Sequence, residues 1–309
     1  MRRRFTIFSD VSGAGVAACR QTAAFFWRSP MAALFRGAAT LIWLATALCV
    51  HAQETARQLD YQGPVSMPEW TNPPAFKKDV FTFVRIKYSV DGKYGFGGSD
   101  SPENRWRIDA PDSDLNFSYR LQQMTSMKVD PNGRVLTLTD TNLFNYPFIY
   151  IVEPGRLTFK DEEVPILRRY LLNGGFLMCD DFWGDREWKN FAQELKRVFP
   201  DREPQELPID HPIFSCVFPL KEKPQVPGIM WFTRRHLNYE ARSNDPGTET
   251  VHYRAIFDDK GRIMVILCHN TDLGDGWERE GENEEYFKQF SEKLAYPMGI
   301  NIVYWAMTH

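Results

Sequence analysis

Three short segments carry most of the residues in this 309-residue chain that could do chemistry: CDDFWGDREW (Cys179–Trp188), IDHPIF (Ile209–Phe214) and HNTDLGDGWERE (His269–Glu280). Together they offer Asp180, Asp181, Asp185, Asp210, His211, His269, Asp272, Asp275 and Glu278. His269, Asp272 and Asp275 set imidazole and carboxylate oxygens at close spacing, with Asp180 or Asp181 available to complete a shell. This is a pattern suited to a divalent metal. The DLGDG core resembles calcium-loop chemistry without EF-hand spacing, and the same residues also read as turn formers and helix caps. Cys179 with His211 or His269 as base would make a nucleophilic pair. However, two carboxylates directly after the thiol raise its pKa, whereas a reactive thiolate needs a positive or donor-rich setting. The tryptophans Trp183, Trp188, Trp231 and Trp277 lie in or near these segments. Exposed, they would stack on sugar rings beside hydrogen-bonding carboxylates; buried, they are core. The ligand-binding candidates are therefore Asp180, Asp181, Trp183, His211 and Trp277, and the metal candidates His269, Asp272 and Asp275.

The surrounding elements decide whether these segments can meet. PFIYIVE (Pro147–Glu153) and FLMC (Phe176–Cys179) are apolar runs of the doubly buried strand type. FKDEEVPILRRYLLNGG has acids in its first turn, arginines near its end and Asn173-Gly174 as a stop, so it reads as a helix. DREWKNFAQELKRVFP puts Trp188, Phe191, Leu195 and Val198 on one helical face. SDLNFSYRLQQMTSM reads as a helix, DVFTFVRIKYSV as a strand, and Asn283–Thr308 as mainly helical with Pro297 interrupting it. Two hairpins are expected, one turned at Asp130–Gly133 and one at Asp258–Gly261. Helices alternating with apolar strands argue for an α/β sheet covered on both faces. In such a sheet, ligands bind beyond the carboxyl ends of the strands, which is where the three segments start. Gly92, Gly95, Gly97 and Gly98 form a glycine-rich loop, but no GxxxxGK[ST] or GxGxxG spacing makes it a phosphate cradle.

Met31–Gln53 reads as a secretory signal. Its apolar stretch, Ala38–Val50, is short for a membrane span, and cleavage is expected after Ala52. The start is either Met31 or Met1, where RRRF (Arg2–Phe5) would be a twin-arginine signal; the membrane is met only if the segment stays uncleaved. Residues 53–75 form a Pro-rich leader and 76–309 a single domain. Without the six arginines and one acid of residues 1–52, the 37 basic and 40 acidic residues become 31 and 39, a net charge of −8. That balance excludes general nucleic-acid binding. Cys179, Cys216 and Cys268 allow at most one disulfide, so this is no disulfide scaffold.

At NGGFLMCDDFWG, DHPIF, HNTDLGDGWE and GINIVYWAMTH the chain resembles the family of domains of unknown function numbered 4159, over roughly residues 76–309. That family is grouped with glutamine amidotransferase-like α/β domains. The resemblance implies a flavodoxin-like, three-layer sandwich with a mostly parallel sheet and added β-hairpins. The HPI of the second motif is similar to trehalose-utilisation-type members of that group. The amidotransferase nucleophile motif, Gly-x-Cys-x-Gly, is missing: Cys179 stands in LMCDDF. The expectation is an exported protein that binds a small-molecule or glycan ligand without catalysis. A metal-assisted hydrolase using the Asp/His cluster, or a structural partner in an envelope complex, are the alternatives.

Overall fold

The computed structural model describes residues 53–60, 66–76, 79–90, 102–243 and 245–309. The proposed signal segment up to Ala52 and the glycine-rich loop at 92–98 lie outside these residues. Seven strands form one sheet in the order β2-β1-β3-β4-β7-β6-β5. They are β1 (Val84–Ile86), β2 (Arg134–Leu136), β3 (Phe148–Val152), β4 (Phe176–Phe182), β5 (Gln205–Glu206), β6 (His252–Phe257) and β7 (Ile263–His269). β2, β1, β3, β4 and β7 are mutually parallel; β6 is antiparallel to both β7 and β5.

Strand alternation divides the core. Phe148, Tyr150, Phe176 and Met178 face one layer, built on α1 (Asp112–Met124), α5 (Leu273–Glu278) and the C-terminal helices. Ile149, Ile151, Leu177 and Cys179 face the other, built on α2 (Glu163–Leu172) and α3 (Gly184–Val198). The period of two puts successive side chains on opposite faces, so both faces must be apolar when both are covered.

Three expectations change. The segment around Asp130–Gly133 is not a hairpin: Val129 bridges Phe81 in parallel, and β2 then runs parallel to β1. The Asp130 carboxylate accepts from Asn132 N and Gly133 takes φ +60°, making a local excursion after which the chain keeps its direction. The second hairpin forms, as β6 and β7. β4 does not end at Cys179 but carries both aspartates to Phe182, with a register shift against β7 between Cys179 and Phe182. Pro297 does not break the C-terminal helix. α6 (Glu284–Tyr286) runs into a π-helical stretch, Phe287–Ala295, and Pro297 lies where that stretch passes into α7 (Tyr296–Thr308).

The leader touches the sheet edge. Val135 N donates to Glu54 O, and buried Ala56 lies against Gly133. Among the described residues no helix is long and apolar enough to cross a membrane.

Arg85 of β1 is fully buried and pairs with Asp114 of α1 at 2.5 Å, also donating to the Trp106 and Ile108 carbonyls. Removing one member of such a pair strands the other charge. Asp114→Ala is expected to cost about 3–5 kcal/mol in urea denaturation, and an Arg85→Met/Asp114→Leu double variant much less. Equal losses in the single and double variants would show that the pair does not organise this layer.

Candidate functional site

The carboxyl ends of β3, β4 and β7 lie side by side, and acidic residues emerge from each. Glu153 follows β3, Asp180 and Asp181 end β4, and Asp272 caps α5 three residues after β7. Glu153 N donates to Asp180 O at 3.0 Å, and Asp181 N donates to Thr271 O at 3.1 Å. These bonds lock the three strand ends together. Asp109, from the turn before α1, reaches in from above. One carboxylate oxygen from each of Asp109, Asp181 and Asp272 lies within 4.8 Å of the other two. Asp109 also belongs to a second such group, with Asp275 and Glu278.

The two groups differ in what neutralises them. Arg279 serves the second: its Nε lies 3.1 Å from Asp275 Oδ1 and 2.8 Å from Glu278 Oε2. Asp275 Oδ2 further accepts from Ile229 N at 2.5 Å and from Tyr286 Oη at 3.1 Å. Among the described residues no lysine or arginine pairs with Asp109, Asp181 or Asp272. Asp181 Oδ1 accepts from Trp183 Nε1 (2.9 Å), and Asp272 Oδ1 from Asp275 N (2.7 Å), which leaves each carboxylate its other oxygen.

Two further oxygens point to a missing partner. Asp180 is fully buried; its Oδ2 accepts from Gly274 N at 2.9 Å while its Oδ1 has no partner. Asp109 Oδ2 is likewise buried and unpartnered. Both side chains close on Gly274, where a Cβ would lie 2.5 Å from Asp109 Oδ2 and 3.1 Å from Tyr150 Oη, so only glycine fits. Buried acceptors without donors are rare, and each one calls for an explanation.

The backbone is strained at the same place. Among the described non-glycine residues, φ is positive at Asp109 (64°), Glu153 (47°), Asp181 (56°), His236 (56°) and Asn270 (61°). Four of these five belong to the strand ends or the turn above them. Left-handed backbone costs a non-glycine residue of order 1–3 kcal/mol and persists only where neighbours over-determine it. Here they do: Tyr88 Oη donates to both the Val152 and Glu153 carbonyls, and the Asn270 side chain bonds Gly184 N, Gly247 O and Thr250 O.

Burial first, then neighbouring carboxylates, push the Asp109, Asp181 and Asp272 carboxyls well above the usual carboxylate range. Burial likewise lifts Glu153 to about 7, against the pull of Arg105 at 2.5 Å, and Asp180 to about 7. The charged form of this pocket is thus costly without a compensating cation.

The structure brings Asp181 and Asp272 together, with Asp180 and Asp275 beside them. His269 falls outside that group. It shares a face of β7 with Val265 and Leu267, turned toward Phe182 and Trp188. Both ring nitrogens are engaged, Nδ1 with Arg254 and Nε2 with Gly184 O. His211 caps the short turn Pro212–Phe214 and packs on Trp305, with ring centroids 5.2 Å apart. Trp183 and Trp277 are fully buried, so neither offers a ring face to a sugar; they are core and wall, not a stacking platform. Cys179 is buried on the α3 side, and burial followed by Asp180 pushes its thiol up, the reverse of a nucleophile's setting. The residues missed from sequence are Asp109, Glu153 and Glu240, whose Oε1 shares with Asp272 Oδ2 the space above Gly228. Glu153 had a signal, an acid directly after a buried parallel strand. Asp109 had none, because only the fold brings it over β4.

The chain belongs to the family described as Domain of unknown function (DUF4159), whose model matches residues 82–307. No curated protein matches it.

His269 gives a check that separates its structural role from metal binding. Burial, with Arg254 and His252 nearby, depresses its pKa to about 3. The unfolded chain protonates near 6.5, so the stability from neutral His269 is full above that pH and is lost as pH falls toward 3. Urea denaturation of His269→Gln against the parent should show a stability gap that shrinks by up to about 1.4 kcal/mol per pH unit from pH 6 to 4. A gap independent of pH would refute the neutral, buried assignment.

Proposed function

We propose that this domain binds one hard divalent cation through Asp109, Asp181 and Asp272, and uses it to hold a ligand and to activate water for hydrolysis. The carrying observation is the set of three converging carboxylates that no described lysine or arginine pairs with, beside buried oxygens that lack donors among the described residues. An all-oxygen donor set suits magnesium, calcium or manganese rather than zinc or copper. Bound through one oxygen each, three carboxylates leave three positions of a six-coordinate shell for water and ligand. A cation there would lower the pKa of bound water and polarise a ligand oxygen. Glu153, next to Asp181 across adjacent strands and reaching the surface, is the carboxylate placed to accept a proton. The hydrolase reading is preferred to a sugar-stacking module because Trp183 and Trp277, the two tryptophans named as ligand candidates, are buried and offer no ring face.

The parallel strand order 2-1-3-4-7 supports a flavodoxin-like core of the glutamine amidotransferase-like kind, with β6 and β5 added at one edge. The site lies where that topology places ligands. The signal reading of residues 31–53 supports export of this domain.

Thermal melts with and without each ion test the proposal. Binding at a hundredfold excess over Kd should add about 2.7 kcal/mol, a rise in Tm of roughly 5–10 °C for a domain of this size. Asp181→Asn keeps an acceptor for Trp183 and tolerates left-handed backbone, so it should raise the ion-free Tm by relieving repulsion and abolish the ion-induced shift. No shift for the parent with magnesium, calcium or manganese would sink the proposal.

A further inference from the structure

Glu240 and Trp231 stand outside the carboxylate set but meet it at Gly228. A Cβ on Gly228 would lie 2.9 Å from Glu240 Oε1, 3.6 Å from Trp231 Cδ1 and 3.7 Å from Asp272 Oδ2, so these three groups surround one point. Gly228 is only half-buried, and without a side chain it leaves that point clear. The backbone on both sides of it is bonded to the turn that carries Asp272. Asp272 N donates to Val226 O at 2.9 Å, Val226 N to Thr271 Oγ1 at 3.0 Å, and Ile229 N to Asp275 Oδ2 at 2.5 Å. α4 (Ile229–Arg235) starts there and closes at His236, whose N–H donates to Phe232 O and whose φ is 56°. The chain then returns and lays Glu240 against Gly228.

Arg242 holds Glu240 by one oxygen. Its Nε and Nη2 donate to Oε2 at 3.1 and 2.8 Å, while its Nη1 pairs with Glu187. Oε1 is left facing Gly228, with no side-chain donor among the described residues. Trp231 is half-buried, and among the described residues its ring stacks on no other ring or cation and its Nε1 has no acceptor. Nε1 is bonded to Cδ1, so this N–H lies on the indole edge turned toward Gly228. The two groups make opposite demands: an indole N–H only donates, and a carboxylate only accepts. A phosphate or carboxylate oxygen would satisfy Trp231 and be repelled by Glu240. An ammonium would satisfy Glu240 and offer nothing to Trp231. A hydroxyl both accepts and donates, so it answers both.

We infer that Trp231 and Glu240 select a ligand hydroxyl beside the proposed cation, and that the ligand is a sugar. One sugar oxygen lies on the cation held by Asp272, a neighbouring hydroxyl sits between Trp231 Nε1 and Glu240 Oε1, and the indole walls the C–H face of the ring. This ligand class rests on the cation reading above, but the two are tested apart. Calorimetry would follow calcium alone into the parent and Trp231→Phe, then D-glucose, D-mannose, D-ribose or N-acetyl-D-glucosamine into each with and without calcium. Phenylalanine keeps an aromatic wall and removes the N–H. The expected result is saturable binding of at least one sugar in the presence of calcium, weakened about tenfold in Trp231→Phe, with calcium binding unchanged. Should Trp231→Phe lose the parent's Tm, Glu240→Gln reads the other end of the same hydroxyl: its Oε1 keeps Arg242 and an NH2 turns toward Gly228, with the same loss expected. Sugar binding that depends on these residues in a protein that binds no calcium would keep the recognition edge and overturn the cation reading. Calcium binding with no sugar bound, or sugar binding equal in parent and variants, would overturn the sugar assignment. Binding of neither would overturn both.

Discussion

The repulsion among Asp109, Asp181 and Asp272 is the interaction around which the carboxyl end of the sheet is arranged. Asp181 and Asp272 are buried and Asp109 is half-buried, so charging them carries a desolvation cost, of several kcal/mol for a fully buried ion, and their proximity adds to it. A chain selected only for stability would place apolar groups here, as it does one residue earlier at Cys179 and Val152. Instead the acids are held on a lattice of backbone bonds between β3, β4 and the β7–α5 turn. The lattice fixes their positions while their charges oppose the arrangement, the condition under which an external cation adds most to stability.

The same lattice stores the backbone strain. Asp181 can adopt left-handed backbone because its N–H is bonded to Thr271 O and its side chain to Trp183, while Asn270 bridges the start of α3 to the 247–250 segment. This explains why Trp183 and Trp277 are buried. Trp183 braces a strained acid, and Trp277 packs on Phe117 with centroids 4.4 Å apart, fixing α5 and with it Asp275 and Glu278. These two tryptophans thus support the acids from behind.

What the sequence disclosed follows from how locally each signal is written. Buried parallel strands and their helices were legible because apolar runs and stop signals are local, and they fixed which end of the sheet would carry Asp180 and Asp272. Face was harder. His269 and Asp272 are neighbours in sequence, but the strand period sends His269 toward α3, and the chain turns before Asp272. The Asp130–Gly133 turn shows a related limit: local chemistry fixed a turn, while the free edge of β1 fixed the strand's direction after it. Asp109 was invisible for the opposite reason, since its partners lie far along the chain in β4 and α5.

The two carboxylate groups sharing Asp109 differ in the charge set against them. In the group with Asp275 and Glu278, Arg279 supplies a positive charge and is itself tied to Glu282 at 3.0 Å. Its single positive charge is shared among the carboxylates of Asp275, Glu278 and Glu282, and burial together with Asp275 still lifts Glu278 to about 8. Asp109, held between the two, is repelled by Glu278 and Asp275 on one side and by Asp181 on the other, with Arg85 opposing them. The proposed cation site is therefore placed in the group with Asp181 and Asp272, where no described lysine or arginine pairs with a carboxylate, and not in the group that Arg279 already serves.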